Sequence, residues 1–357
     1  MSLSAWIIAA WLIDRFDRFP HVCICSPEKR CGKTTLLDLL ALIVPKPRYT
    51  TNISPAALYR VVEQEKPTLL MDESQSLVRR GSEASETIRE ILNAGIGKNA
   101  KVMRCGGQDN TQIQEFSVYS PKVFALIGEP DAVLADRSLP ISLKRKTKDD
   151  VVERFRSRVV EEVGISLKEK IEMWCSEHGE EVAAVYDRLE PFDIANDRMA
   201  ELLVPLQAVL TVDGSMEALE VLHEFAIAID ARDREQEAQS PGVRLLAACR
   251  ELFDDNTISG ISGFLSTDMF LKLLHERTDE PWYRWNRGEP MTREALANLL
   301  RPFGIKPSRS KDQKTRGYAR ADFEEAWGRY LPPPTPSKIP SIPAIPSIPA
   351  NPPKEAR

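Results

Sequence analysis

Residues 21–35 read His-Val-Cys-Ile-Cys-Ser-Pro-Glu-Lys-Arg-Cys-Gly-Lys-Thr-Thr. A loop ending in Gly-Lys-Thr, set between a short apolar run and an apolar helical pattern, can hold phosphate. The chemistry is electrostatic. Successive backbone N–H groups cradle anionic oxygens, and the start of the following helix adds partial positive charge. On this reading Lys29, Arg30, Cys31, Gly32, Lys33, Thr34 and Thr35 surround a nucleotide. Lys33 reaches its terminal phosphates, and the Thr34 hydroxyl meets a magnesium ion. Pro27 stands where the usual pattern has its first glycine. Proline has a fixed φ and no N–H, so the loop must enter its turn differently. Taken alone, the stretch also fits an ordinary strand–turn–helix.

A second pattern lies downstream. Residues 67–73 are Pro-Thr-Leu-Leu-Met-Asp-Glu. An apolar run ending in two acids is what a Walker B strand needs: Asp72 holds the magnesium, directly or through water, and Glu73 polarises the attacking water. A strand that meets solvent at two acids is the plainer alternative. Both patterns together predict ATP and Mg2+ as ligands, and the adjacent acids predict hydrolysis. Where a polar sensor residue is expected, after the apolar run 124–127, the chain carries Gly128 and Glu129. That departure leaves the positioning of water unassigned.

The elements that must hold these groups follow from patterning. From 21 to 143, strands alternate with helices, which predicts a parallel, doubly wound sheet. Residues 50–53 read as a short strand, and Ser54 as an N-cap ahead of Pro55 and a helix to residue 65. Residues 83–94 read as a helix ended by Gly95 and Gly97. Residues 98–116 read as a β-hairpin around Gly-Gly-Gln-Asp-Asn. Such a hairpin either presents Lys98, Lys101 and Arg104 to DNA or covers a sheet edge. Strands are expected at 122–127 and 141–143. Arg137, just before the last of these, sits where subunits of a ring would meet. It either completes a neighbour's site in trans or pairs with Asp136 or Asp131.

Composition bounds the rest. The chain has 357 residues, room for two or three domains. Its net charge of −5 means that nucleic-acid contact must come from local patches. Six scattered cysteines and four histidines, without Cys-x-x-Cys, argue against zinc or a disulfide framework and suit the cytoplasm. Cys23 and Cys25 share one face of a strand as small core residues. Cys31, inside the loop, either makes ATP binding oxidation-sensitive or is simply a small tolerated side chain. The apolar stretch 5–13 is too short to span a membrane, and is expected to pack as a helix on the core. So early a phosphate loop is expected to leave no room for a domain ahead of it.

Residues 144–238 are largely helical by periodicity, a lid over the core. Arg198 either reaches the γ-phosphate from this lid or is a plain surface arginine. Pro205 is expected to kink or break the segment 199–210. Helices near 243–254, 267–276 and 292–302 precede a basic β-turn-β stretch and a last helix, the pattern of a winged helix. Between residues 301 and 320 lie seven basic residues against one acid. Lys311, Lys314 and Arg316 at its centre either contact DNA phosphates or form a solvated loop. The tail repeats Ile-Pro-Ser-Ile-Pro-Ala, an extended polyproline segment or partner-binding handle. The expected domains are thus a P-loop ATPase core at 1–143, a helical lid at 144–238, a winged-helix-like domain at 243–330 and a disordered Pro-rich tail at 331–357.

The segments Ser26-Pro-Glu-Lys-Arg-Cys-Gly-Lys-Thr, Leu134-Ala-Asp-Arg-Ser, Asn196-Asp-Arg-Met-Ala-Glu and Leu299-Leu-Arg-Pro-Phe-Gly-Ile resemble a family of bacterial and phage ATPases. The C-terminal half of that family is known as domain of unknown function 3631. Gly317-Tyr318 and Asp322-Phe-Glu-Glu-Ala-Trp327 extend the resemblance to nearly the whole chain except the tail. It implies an ATP-dependent helicase-like protein of mobile-element or phage replication; with the lid, the hairpin and Arg137, the expected whole is an AAA+/superfamily 3 helicase-like α/β fold that forms a homo-oligomeric ring and drives single-stranded DNA through it. A primase or other replication protein is the implied further partner, although no primase motif is visible in this chain.

Overall fold

The computed structural model describes residues 2–72, 83–106, 112–153, 155–255, 263–310 and 314–332. Glu73, the hairpin turn, Lys311 and the Pro-rich tail from residue 333 lie outside the described residues. The chain forms two units, residues 1–232 and 233–357.

The first unit is built on a five-stranded sheet. Its strands are β1 (His21–Ser26), β2 (Pro47–Thr50), β3 (Thr68–Met71), β6 (Lys122–Ile127) and β7 (Ser138–Ser142), in the order β2-β3-β6-β1-β7. All neighbours pair in parallel. The central strands are buried almost throughout because both faces are covered, so their sequences are continuous apolar runs rather than alternating ones. The covering helices are α1 (Ser2–Trp11), α2 (Lys33–Ile43), α3 (Pro55–Glu65), α4 (Glu83–Ala94) and the short α5 (Ala132–Ala135). Trp6 of α1 is fully buried, and its indole N–H donates to the Pro20 carbonyl at 2.8 Å. Ser54 caps α3, its hydroxyl accepting from Ala57 N at 3.3 Å. The strand expected at 50–53 lies earlier, at Pro47–Thr50, because those residues align with Thr68–Met71.

Three longer helices follow: α6 (Ser157–Tyr186), α7 (Asp197–Asp213) and α8 (Met216–Ala238). Cys175, Val182, Met199, Leu203 and Leu206 join the same hydrophobic core as Val22, Ile24, Leu37 and Val123, so the helices up to residue 232 are packed into one body with the sheet. The break expected at Pro205 does not occur, and α7 runs through it. The carbonyl deprived of its partner belongs to exposed Glu201, where water can replace the missing N–H, while buried Leu202–Leu210 hold both halves in place.

A separate antiparallel pair, β4 (Lys101–Gly106) and β5 (Gln112–Ser117), forms the hairpin. It packs on α3 through Phe116, whose ring lies 4.5 Å from that of Tyr59.

The second unit holds α9 (Pro241–Asp254), β8 (Phe264–Ser266), α10 (Thr267–Glu276), α11 (Arg293–Leu300), β9 (Ser308–Arg309), β10 (Arg316–Ala319) and α12 (Glu324–Tyr330). Its sheet is antiparallel in the order β8-β10-β9. Phe253, Phe270, Tyr318, Phe323 and Trp327 stack into an aromatic core. At Gly317 an added Cβ would come within 2.0 Å of the Leu265 carbonyl oxygen, so only glycine lets β10 lie this close to β8.

Candidate nucleotide site and candidate nucleic-acid surfaces

At the carboxyl end of the parallel sheet, β1 gives way to the loop 27–32, and α2 starts at Lys33. Two residues with positive φ shape the loop, Arg30 at +66° and Gly32 at +89°. Gly32 is suited to that conformation, whereas Arg30 holds it against its own side chain. The Lys33 ammonium is folded back over the loop, 2.5 Å from the Ser26 hydroxyl and 3.5 Å from the Glu28 carbonyl oxygen. The Thr34 hydroxyl donates to Asp72 Oδ2 at 2.9 Å, joining the two motifs across 38 positions of sequence. Tyr49 donates to the same oxygen at 2.9 Å, and Asp72 N donates to the Thr50 carbonyl at 3.0 Å. Lys29 and Arg30 are exposed, and Arg145 caps the Lys29 carbonyl at 3.0 Å. Cys31 is buried, its thiol donating to the Glu28 carbonyl at 3.3 Å. Thr35 is half-buried within the first turn of α2. Gly128 N donates to the Ser26 carbonyl at 2.9 Å, so Glu129 follows directly beside the loop.

Sequence reasoning missed Tyr49 and Arg145. Tyr49 belongs to a strand whose register carries its hydroxyl to Asp72, a relation that only strand pairing reveals. A hydroxyl and a carboxylate converging beside a lysine are hard oxygen donors, the set that suits magnesium.

Arg137 and Arg198 lie elsewhere. Register places His21 opposite Ser138, so Arg137 stands at the amino end of the sheet, with the length of β1, about 16 Å, between it and the loop. Its guanidinium donates to the Val133 carbonyl at 2.7 Å and lies 3.8 Å from Asp136. Burial, and then the charge of Arg198, lower its pKa, against the opposing pull of Asp136 and Asp131. Arg198 is ion-paired to Asp136, whose other oxygen accepts from Asn196 Nδ2 at 3.1 Å. Arg198, read from the sequence either as a γ-phosphate contact or as a plain surface arginine, is held within one subunit beside Arg137, because Asn196, which caps α7, docks on Asp136.

Two buried basic groups, unnoticed in the sequence, share this amino end. Lys122 is fully buried and donates to the Val118 and Ser120 carbonyls at 2.8 and 2.9 Å. Burial lowers its pKa to about 7. His21 is also fully buried, with Nε2 2.9 Å from the Leu92 carbonyl and Nδ1 without a partner among the described residues. Burial, then Lys122, lower its pKa to about 3. Gly95 does more than end a helix. A Cβ there would stand 2.7 Å from the Lys122 ammonium and 2.6 Å from the Val118 oxygen.

The basic residues expected to touch DNA fall into two groups. In the hairpin they are engaged locally. Lys98 donates to the Asp14 carbonyl at 2.7 Å, and Lys101 pairs with Glu115 at 2.8 Å. Arg104 donates to the Met103 carbonyl at 2.8 Å and lies over the Tyr59 ring. The hairpin also exposes apolar side chains, Met103 at 60% and Ile113 at 72%. In the second unit Arg301, Lys306, Arg309 and Arg316 are exposed and make no ion pair among the described residues. Arg301, Lys306, Lys314 and Arg316 line an open groove of about 830 Å³ between α11 and the β9–β10 strands.

Among known proteins, the chain is 25% identical over 193 residues to a Saccharopolyspora erythraea protein described as an uncharacterized 28.9 kDa protein in the xis 5' region, covering 53% of this chain and 69% of the other. Among solved structures it is similar to the A-form apo structure of the NrS-1 C-terminal region, with a TM-score of 0.43 and 11% identity over 89% of this chain and 72% of that one. An inhibitor-bound JCV helicase gives a TM-score of 0.27 and 13% identity over 71% of this chain and 64% of that one. Likenesses this distant carry no weight for function. Residues 142–330, more than half of the chain, match the family described as "Protein of unknown function (DUF3631)", and the chain belongs to that family.

Proposed function

We propose that this protein is a P-loop ATPase, AAA+/superfamily 3 helicase-like, that couples ATP hydrolysis to movement on DNA in phage or mobile-element replication. The single observation that carries the reading is the meeting of Thr34 and Asp72 at 2.9 Å beside Lys33. It occurs at the carboxyl end of a parallel sheet, next to β1, from which the chain departs to the far edge and later returns on the other side. Open α/β sheets bind ligands at such switch points.

In the proposed mechanism Lys33 exchanges Ser26 and Glu28 for the terminal phosphates. The loop amides and the start of α2 hold the remaining phosphate oxygens. Thr34 and Asp72 would hold magnesium, which supplies neutralising charge on the phosphates. Glu73, following Asp72, takes the proton of the attacking water. Arg137 is too far from its own loop to act there, which supports action on a neighbouring subunit in a ring. We read the second unit, with its helices and antiparallel three-stranded sheet, as a winged helix. There Lys311, Lys314 and Arg316, with Arg301 and Lys306, meet DNA phosphates. Among the described residues no helix is long and apolar enough to cross a membrane. We place the protein in the cytoplasm, with a primase or other replication protein as partner.

The test is ATP turnover with and without single-stranded DNA. Stimulation by DNA together with strand displacement is the expected result, and absence of ATP binding would overturn the reading. The engaged state of Lys98, Lys101 and Arg104 favours a second reading, an ATP-driven regulatory or DNA-loading switch without unwinding. Stimulated turnover without strand displacement would select it.

A further inference from the structure

Cys23 and Cys25 stand two residues apart on one face of β1, immediately before the phosphate loop, with their sulfurs 3.3 Å apart. Alternate residues of a strand are about 6.6 Å apart at Cα, within the upper range that a disulfide spans. The two thiols differ. Cys23 is buried, and its hydrogen bond to Cys25 and its burial hold it protonated. Cys25 is partly exposed, and its pKa is lowered chiefly by the hydrogen bond from Cys23, with help from Arg232 and Lys33 against burial and Glu129. A partly exposed thiol with a second, buried thiol in hydrogen-bond contact is the arrangement of a reactive and a resolving cysteine.

We propose that Cys23 and Cys25 form a peroxide-sensitive dithiol whose oxidation to a disulfide closes the nucleotide site. The Cys25 thiolate attacks hydrogen peroxide, giving the sulfenic acid and hydroxide. The Cys23 sulfur then attacks the sulfenic sulfur: the S–S bond forms, the S–O bond breaks, and hydroxide leaves to take up the Cys23 proton as water. Two thiols lose two electrons, and the peroxide ends as two waters. Closing the sulfurs from 3.3 Å to a bond of about 2.05 Å must pucker β1. The next residue, Ser26, holds the Lys33 ammonium, so the pucker passes directly into the loop. The second step rests on the nucleotide reading above, but the disulfide itself does not.

The test treats the full-length reduced protein with hydrogen peroxide, blocks remaining thiols and digests with trypsin. The peptide from Phe19 to Lys29 contains Cys23 and Cys25 and excludes Cys31. It should appear with two hydrogens fewer and escape blocking. ATP affinity, measured by calorimetry with magnesium, should fall at least tenfold and return with dithiothreitol. Cys25→Ser should keep its affinity through peroxide treatment, and Cys23→Ala should stop at a dimedone-reactive sulfenic acid on Cys25. A peptide that stays reduced while Cys31 or Cys105 oxidises would overturn the dithiol. A disulfide that leaves ATP affinity unchanged would overturn the closure. If the reduced protein binds no ATP, the nucleotide reading fails, and the peptide mass alone decides the dithiol.

Discussion

The two ends of the parallel sheet are both rich in basic side chains, yet they are prepared for different things. At the carboxyl end Lys33 touches only a hydroxyl and a carbonyl, and makes no ion pair among the described residues. An arriving phosphate replaces two neutral partners with a charge-assisted one and gains the start of α2 as well. At the amino end the basic groups are already engaged within the protein. Arg198 is paired with Asp136, Lys122 is sealed against two carbonyls, and His21 is kept neutral. The count of cations at a surface therefore says little about anion binding. What counts is which partners each cation must give up.

The comparison breaks most visibly at Lys33. Lys33→Ala should abolish ATP binding in calorimetry, since the multiply charged phosphate loses its main cation; retained affinity would mean that the carboxyl end is not a phosphate site. Arg137→Ala tests the other end. It should bind ATP normally and lose turnover by up to ~10³-fold if the arginine acts on a neighbour. Glu73→Gln should likewise keep binding and lose roughly 10²-fold in turnover. Mixing the two variants should restore part of the activity, because one subunit lends the base and another the arginine. Mixed oligomers with no recovery would leave Arg137 as a structural group of the amino end.

Much of the sheet was legible because parallel strands buried on both faces write themselves as apolar runs, as in residues 69–71 and 123–127. The cap at Ser54 was legible for the same local reason, a hydroxyl one residue ahead of a helix-starting proline. The positions of Arg137 and Arg198 were not, because they depend on strand order and on Asn196 docking against Asp136. Tyr49 was hidden in the same way. His21 and Lys122 escaped notice because patterning assigns charged residues at strand starts to solvent, whereas Gly95 leaves space to bury the lysine. Of the kink or break expected at Pro205, the break was overruled by burial on both sides.

The smallest effect sharpens the comparison at the amino end. His21 has a folded pKa of about 3, against an ordinary histidine value of 6.5. Between these values the unfolded chain takes up a proton that the native protein refuses. Stability from this group is therefore full above pH 6.5 and falls as pH drops towards 3, by at most about 1.4 kcal/mol per pH unit. The groups that face it are Lys122 and Arg137, which oppose protonation, and the Leu92 carbonyl, which favours it. His21→Leu keeps an apolar side chain in the cavity and removes the titration. Urea midpoints measured from pH 6.5 down to 4 should then fall less steeply in the variant than in the wild type. Lys122→Met should flatten the slope less, because it removes one of the charges holding the histidine neutral while leaving its burial, the larger cause, in place. Parallel slopes for wild type and His21→Leu would mean that the imidazole is hydrated in the native state, and that the amino end is as open to water as the phosphate loop.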